Sequence, residues 1–151
     1  MNIQLLVVGR LKRGAHYDLF HDYIKRMDWN VSIHEIESRH KDQAKMHSDE
    51  CAQILERIQP QSFVIALDER GKTLPSRKFA SKFQDLQNES RSDVQFIIGG
   101  ADGLNDEIRS RTNLLLSFGQ QTWPHMLARV MLLEQIYRAQ QILKKHPYHR
   151  D

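Results

Sequence analysis

The chain has one cysteine, four prolines and seven glycines in 151 residues. Each scarcity excludes something. The lone thiol, Cys51, cannot build an internal disulfide framework, and it fits a reducing compartment, most simply the cytoplasm. With one cysteine and scattered histidines there is no ligand set for a built-in metal site. No uncharged apolar run approaches the ~18 residues of a membrane-spanning helix. The first apolar run, Ile3 to Val8, is too short for a secretory leader, and its basic residues follow it rather than precede it. No repeat, low-complexity tract or flexible linker interrupts the chain, so residues 1–151 are read as a single domain.

What is present is an alternation of short β-rich runs and longer helical stretches. Ile3 to Val8, Val31 to Glu37, Phe63 to Leu67, Val94 to Ile98 and Leu114 to Phe118 read as strands. Residues 15–27 read as a helix on the spacing of Leu19, Tyr23 and Met27. Residues 42–58 read as a second, with Ala52, Leu55 and Ile58 near its end. A third opens at Pro75-Ser76 and carries Phe79, Phe83 and Leu86. A short one runs from about Asn105 to Arg111, and the last starts at Pro124, a favoured first helical position. Such alternation predicts an α/β fold, a mostly parallel sheet with helices on both faces.

In sheets of this kind ligands bind beyond the carboxyl ends of the strands. Three loops there stand out: Asp68 to Pro75, Gly99 to Gly103, and Gly119 to Trp123. Their glycines allow a ligand to approach the backbone closely. Familiar phosphate and metal motifs fail. ERGKT (residues 69–73) has Ala66 where a P-loop needs glycine. GGADG (residues 99–103) is not the dinucleotide fingerprint, and His34-Glu35 meets Ser38 where a zincin needs its second histidine. No G-x-S-x-G is present.

The charge is +3, and its distribution matters more than its size. Arg10, Lys12 and Arg13 share one loop; Lys144, Lys145 and Arg150 crowd the end, with His146 and His149 between them. These are either solvated clusters or contacts to an anionic partner. The final helix carries two apolar stripes, Met126/Val130/Leu133/Tyr137 and Ala128/Leu132/Ile136/Ala139/Leu143. One stripe serves the sheet. The second either packs on a second copy across a two-fold axis or is buried in the same chain. Glu134 interrupts this helix, either as an i,i+4 partner of Arg138 or as a carboxylate at the ligand or subunit interface.

The segments VIALDERGK, FIIGGADGL, LSFGQQTWPHMLARVMLLEQIYRA and HPYHR, with VVGRLKRG near the start, closely resemble the ribosomal RNA large subunit methyltransferase H family of the SPOUT class, over the whole length. The resemblance implies a trefoil knot in the C-terminal half, an exception to the usual unknotted topology. It also implies S-adenosylmethionine gripped mostly by backbone at Leu67, Gly99 and Phe118-Gly119-Gln120-Gln121-Thr122-Trp123. Gly119-Gln120-Gln121 is more polar than the family pattern. The further implications are a homodimer formed through the knot region and methylation of N3 of a pseudouridine in 23S ribosomal RNA on the ribosome.

The closing segment HPYHRD then acquires work. Tyr148 can stack on a base, His149 can move a proton near neutral pH, and Arg150 can clamp phosphate or offset negative charge on the ring. Tyr148, His149, Arg150 and Glu134 are the catalytic candidates. The segment is expected to reach over the cofactor pocket of a partner subunit. A different RNA target, such as transfer RNA, or a non-catalytic RNA-binding role in ribosome assembly, are the competing readings.

Overall fold

The computed structural model describes residues 1–150. Its first strand, β1 (Asn2–Val8), is central: Leu5, Leu6 and Val7 are wholly buried, as expected of a strand covered on both faces. The elements then alternate as α1 (Ala15–Arg26), β2 (Asn30–Ile36), α2 (Gln43–Arg57), β3 (Phe63–Lys72), α3 (Ser76–Asn88), β4 (Asp93–Ile98), α4 (Asp106–Ser110), β5 (Leu114–Leu116) and α5 (His125–Leu143). The strands form one sheet in the order β2-β1-β4-β3-β5, and each described pairing is parallel. The parallel sheet predicted from the strand–helix alternation is thus present.

Two apolar layers flank it. One joins Phe20 of α1, Phe79 and Phe83 of α3 and Val130, Leu132, Leu133 and Ile136 of α5 to the sheet residues Leu5, Ile65 and Phe96. The other joins Cys51 and Ile54 of α2 and Ile108 of α4 to Leu6, Ala66 and Ile97. Alternate residues of each strand thus face opposite layers, as the period of two requires.

Three expectations are corrected in detail. On α1 the buried residue is Phe20, whereas Leu19 is 47% exposed. On α2 it is Cys51 and Ile54 that are buried, and Ala52 is exposed. In both helices a single-residue shift of about 100° moves the inward row, and composition alone does not choose between adjacent rows. The segment after Leu67 is not simply a loop. β3 breaks register against β5 and resumes with Lys72 opposite Leu116, where Ser117 N donates to Lys72 O at 3.0 Å. Gly71 makes that approach feasible, because a Cβ there would lie 2.7 Å from backbone atoms of Leu115 and Leu116.

Most of both apolar stripes of α5 is consumed within the chain; Met126 and Leu143, at their ends, are half-buried. Val130, Leu132, Leu133, Ile136 and Ala139 are buried against the sheet and between α1 and α3, while the buried Tyr137 packs on Tyr23 and Tyr148. The stripes therefore do not argue for a second copy.

Arg129 lies among them with no exposed surface. Its Nη2 donates to the carbonyls of Val8 (2.6 Å) and Gly9 (2.7 Å), and its Nη1 pairs with Glu35 at 3.3 Å. The same Glu35 oxygen accepts from Leu11 N at 2.6 Å. α5 is thereby tied to the ends of β1 and β2. Arg129→Met strands two carbonyls and a carboxylate, and should lower unfolding stability by about 3–5 kcal/mol. Urea denaturation measures this; a loss under about 1 kcal/mol would contradict the brace.

Candidate active site

The carboxyl ends of the neighbouring strands β4, β3 and β5 open into one cavity of about 710 Å³. That volume falls within the roughly 300–1,000 Å³ typical of small-molecule sites. Its walls come from Leu67 to Arg70 in the second half of β3, Ile98 to Leu104 at and beyond the end of β4, Leu116 to Gly119 at and beyond the end of β5, and Gln121 to His125 with Ala128 at the start of α5. Of the residues expected to hold cofactor, Leu67, Gly99, Phe118, Gly119, Gln121, Thr122 and Trp123 line this space. Gln120 does not line it and is exposed. The polar departure from the family pattern is thus divided, with Gln121 at the cavity and Gln120 turned to solvent.

Local chemistry shapes each wall. At Gly99 a Cβ would come within 2.9 Å of Gly103, so a side chain would spread the turn. The turn closes on itself with Gly103 N donating to Gly100 O at 3.1 Å, and Gly103 adopts φ 71°. From outside, α2 holds it: Gln43 donates to Asp102 at 2.7 Å, and the His47 ring nitrogen lies 3.2 Å from Gly103 O. The third loop is pinned by Ser117 Oγ donating to Gly119 O (2.8 Å) and by Trp123 Nε1 donating to Phe118 O (3.3 Å).

Sequence reasoning missed an ion pair in the cavity wall. Arg109 of α4 donates from Nε to Asp68 at 2.8 Å, and the Asp68 side chain is only 4% exposed. Hydrogen bonding to Asp68 raises the Arg109 pKa, so the guanidinium stays charged. No spacing rule connects residues 41 apart on two elements. His125 also lines the cavity; burial first, then the Arg129 charge, lower its pKa, so it presents a neutral imidazole at pH 7.

The catalytic candidates gather elsewhere. Glu134 Oε1 accepts from Arg138 Nε at 2.9 Å and from the Tyr148 hydroxyl at 3.1 Å. The Arg138 Nη1 lies 3.2 Å from His149 Nδ1. Tyr148 packs edge-on against Tyr137 at 4.8 Å, beneath the Arg138 guanidinium at 4.9 Å, while Arg26 stands over Tyr137 at 4.5 Å. Burial, followed by hydrogen bonding to Tyr23, raises the Tyr148 pKa, so the phenol keeps its proton and acts as a donor. Glu134 is accordingly the i,i+4 partner of Arg138 and also the anchor of Tyr148. Tyr23 and Arg26 of α1, not foreseen, complete this cluster. Arg150 is exposed.

Glu134, Tyr148, His149 and Arg150 do not line the cavity of their own chain. The geometry of α5 explains why. From Ala128 to Glu134 the helix advances about 9 Å and turns about 240°, so the cavity and the cluster lie on different faces. Among the described residues no group of three His, Cys, Asp or Glu could hold a metal ion, and no helix is long and apolar enough to cross a membrane.

Comparison with known proteins adds the family. Residues 1–149 match the model described as "Predicted SPOUT methyltransferase". The chain is 46% identical to the ribosomal RNA large subunit methyltransferase H of Rhodospirillum centenum over 151 residues, covering 99% of each. It is 41% identical to that of Zymomonas mobilis, covering 100% of this chain and 99% of the relative. Among solved structures, a probable methylase family protein from Haemophilus influenzae shares the fold at TM-score 0.58 and 12% identity, over 99% of this chain and 70% of that one. A putative methyltransferase from Legionella pneumophila, solved with bound S-adenosylmethionine, aligns at TM-score 0.50 and 17% identity, over 93% of this chain and 66% of that one. The chain belongs to the SPOUT methyltransferases, in the ribosomal RNA large subunit methyltransferase H family.

Proposed function

We propose that this chain transfers a methyl group from S-adenosylmethionine to large-subunit ribosomal RNA, at N3 of a pseudouridine in 23S RNA. The observation that carries the reading is the cavity itself, formed by the three loops singled out in the sequence and set in a chain that matches named large-subunit RNA methyltransferases throughout. The relatives' names support an RNA substrate, and the Legionella structure shows this fold holding the donor. The cytoplasm is the compartment that suits such a substrate.

The residues fit the donor. Leu67, Ile98, Leu104, Leu116, Phe118 and Trp123 supply apolar surface for a purine ring, and the glycine turns expose backbone donors and acceptors to its edge. Leu67, Gly99, Phe118, Gly119, Gln121, Thr122 and Trp123 would hold it; Gln120 would contribute backbone at most. When bound, S-adenosylmethionine supplies a methyl group already activated by a positive sulfur. The protein then has to orient a nitrogen toward that methyl and let the nitrogen lose its proton. Orientation can account for several kcal/mol of barrier. N3 of a uracil ring is a weak acid, and the cations Arg138 and Arg150 would stabilise its anion.

In this reading Tyr148, His149 and Arg150 contact the RNA, and Glu134 with Arg138 positions them. Their separation from the cavity of their own chain supports a homodimer in which the closing segment of one copy covers the cavity of the other. Trp123, 38% exposed, and the half-buried Leu127 and Met131 offer apolar surface for that pairing. The knot stays part of the reading, supported by the match to the SPOUT methyltransferases over residues 1–149.

Three preparations test this with labelled donor and ribosomes, large subunits or bulk transfer RNA. The full chain should methylate large-subunit RNA, with 3-methylpseudouridine identified by nucleoside mass spectrometry, and should leave transfer RNA unlabelled. A chain lacking residues 146–151 should bind the donor with affinity within about threefold and transfer nothing. Mixing it with a Gly99→Val chain should restore up to about a quarter of the activity, because one heterodimer site is whole. Label confined to transfer RNA would overturn the substrate; full activity of the truncated chain would overturn the role of its end. Exchange without restored activity would place that end over its own cavity.

Tyr148→Phe removes the hydrogen bond to Glu134, worth about 1 kcal/mol. Amide exchange of residues 146–150 should quicken about fivefold with the melting temperature of the body unchanged. Unaltered exchange would show that Glu134 does not hold the segment.

A further inference from the structure

Beside the cavity, two loops carry cations that the proposed reaction does not use. The first, residues 9–14 (GRLKRG), follows β1; the second, residues 37–42 (ESRHKD), follows β2. β1 and β2 are neighbours, so both loops leave the sheet side by side, on the edge where the cavity opens. Together they hold five Arg or Lys against two carboxylates.

The carboxylates are already engaged. Glu37 pairs with Arg10 at 3.5 Å and so links the two loops. Asp42 caps α2 by accepting from Lys45 N at 3.0 Å. Nearby, Glu35 is held by Arg129 and Leu11 N, and Asp49 accepts from Gln53 at 3.0 Å. Lys12, Arg13, Arg39 and Lys41 are exposed and make no ion pair among the described residues. Surface cations with free carboxylates nearby usually neutralise one another; here the arrangement leaves four of one sign facing solvent.

The loop base is rigid. Val8 and Gly9 carbonyls are held by Arg129, Gly9 N donates to Ile36 O at 2.8 Å, and Leu11 N is fixed on Glu35. It also abuts the cavity wall: a Cβ on Gly9 would stand 3.4 Å from Met126 and 3.7 Å from His125, and one on Gly100 would stand 2.9 Å from Val8. The base of the first loop is thus fixed beside the cavity wall.

We propose that loops 9–14 and 37–42 form the surface on which the phosphate backbone of the substrate RNA docks, with Lys12, Arg13, Arg39 and Lys41 as the phosphate contacts and the Arg129–Glu35 brace as support for the first loop. This rests on the reading of the chain as an RNA methyltransferase and adds where the RNA lies. The one aliphatic residue of these loops, Leu11, is half-buried against the core, so the exposed surface is polar and suits a polyanion; an acidic protein interface would need an apolar centre.

The full chain and the variant Lys12→Ala/Arg13→Ala/Arg39→Ala are compared for binding to 23S RNA and to ribosomes over a series of KCl concentrations. A control, Lys25→Ala/Lys78→Ala/Lys82→Ala, removes the same charge from exposed positions of α1 and α3. The first variant should lose at least tenfold in RNA affinity at about 0.1 M salt. Its log–log salt slope should fall by about two to three, at roughly 0.7–0.9 per phosphate contact. Donor affinity and melting temperature should match the full chain. An unchanged slope, or an equal loss in the control, would overturn the docking surface. The binding assay needs no methyl transfer: absence of transfer by the full chain would refute the proposed function, whereas transfer with unaltered RNA affinity in the loop variant would refute the docking surface alone.

Discussion

Arg129 reaches from the second turn of α5 into the ends of β1 and β2, with its side chain shut off from water and its charge set against Glu35. A buried guanidinium is costly unless its hydrogen bonds are largely met, and here two backbone carbonyls and a carboxylate meet most of them. Burial lowers its pKa and Glu35 pulls it back up. The contact fixes α5 in rotation and in height against the sheet. The start of α5 can then wall the cavity while its later turns carry the Glu134–Arg138–Tyr148 cluster. The loop after β1 takes its shape from the same contact.

The division of labour along α5 follows from helical geometry. Pro124, His125 and Ala128 face the cavity, and Glu134 and Arg138 face away from it. The donor is already activated, and the pocket walls combine glycine turns and apolar side chains with the Asp68–Arg109 pair and His125. A second set of titratable groups lies where the closing segment folds back. Its phenol is held protonated and its arginine is held by a carboxylate. In the proposed dimer such a site would become whole only when a second copy arrives, which would make transfer depend on assembly and on RNA.

Much of this was legible in the residues. Apolar runs located the five strands, and the glycine turns marked the cavity because close backbone approach constrains sequence strongly. Other features left no local signal. β3 continues through Asp68 to Lys72, where backbone pairing with β5 holds charged residues that no hydrophobic pattern would place in a strand. The Asp68–Arg109 pair joins two elements and is a product of the fold. Gln120 and Gln121 are neighbours of the same type, yet only Gln121 lines the cavity, and that choice is made by the loop backbone. The two stripes of α5 were visible, but their partners, α1 and α3, were not. Glu134 could be read two ways, and only the position of Tyr148 shows that it holds the closing segment.

The central claim is that the three turns at the ends of β3, β4 and β5 bind S-adenosylmethionine. Hydrogen exchange of the full chain with and without saturating donor tests it most directly. The account predicts slowed exchange concentrated at residues 67–70, 98–104 and 117–123, with little change at 9–14 or 146–150. Absence of protection, or protection confined to another part of the chain, would contradict it.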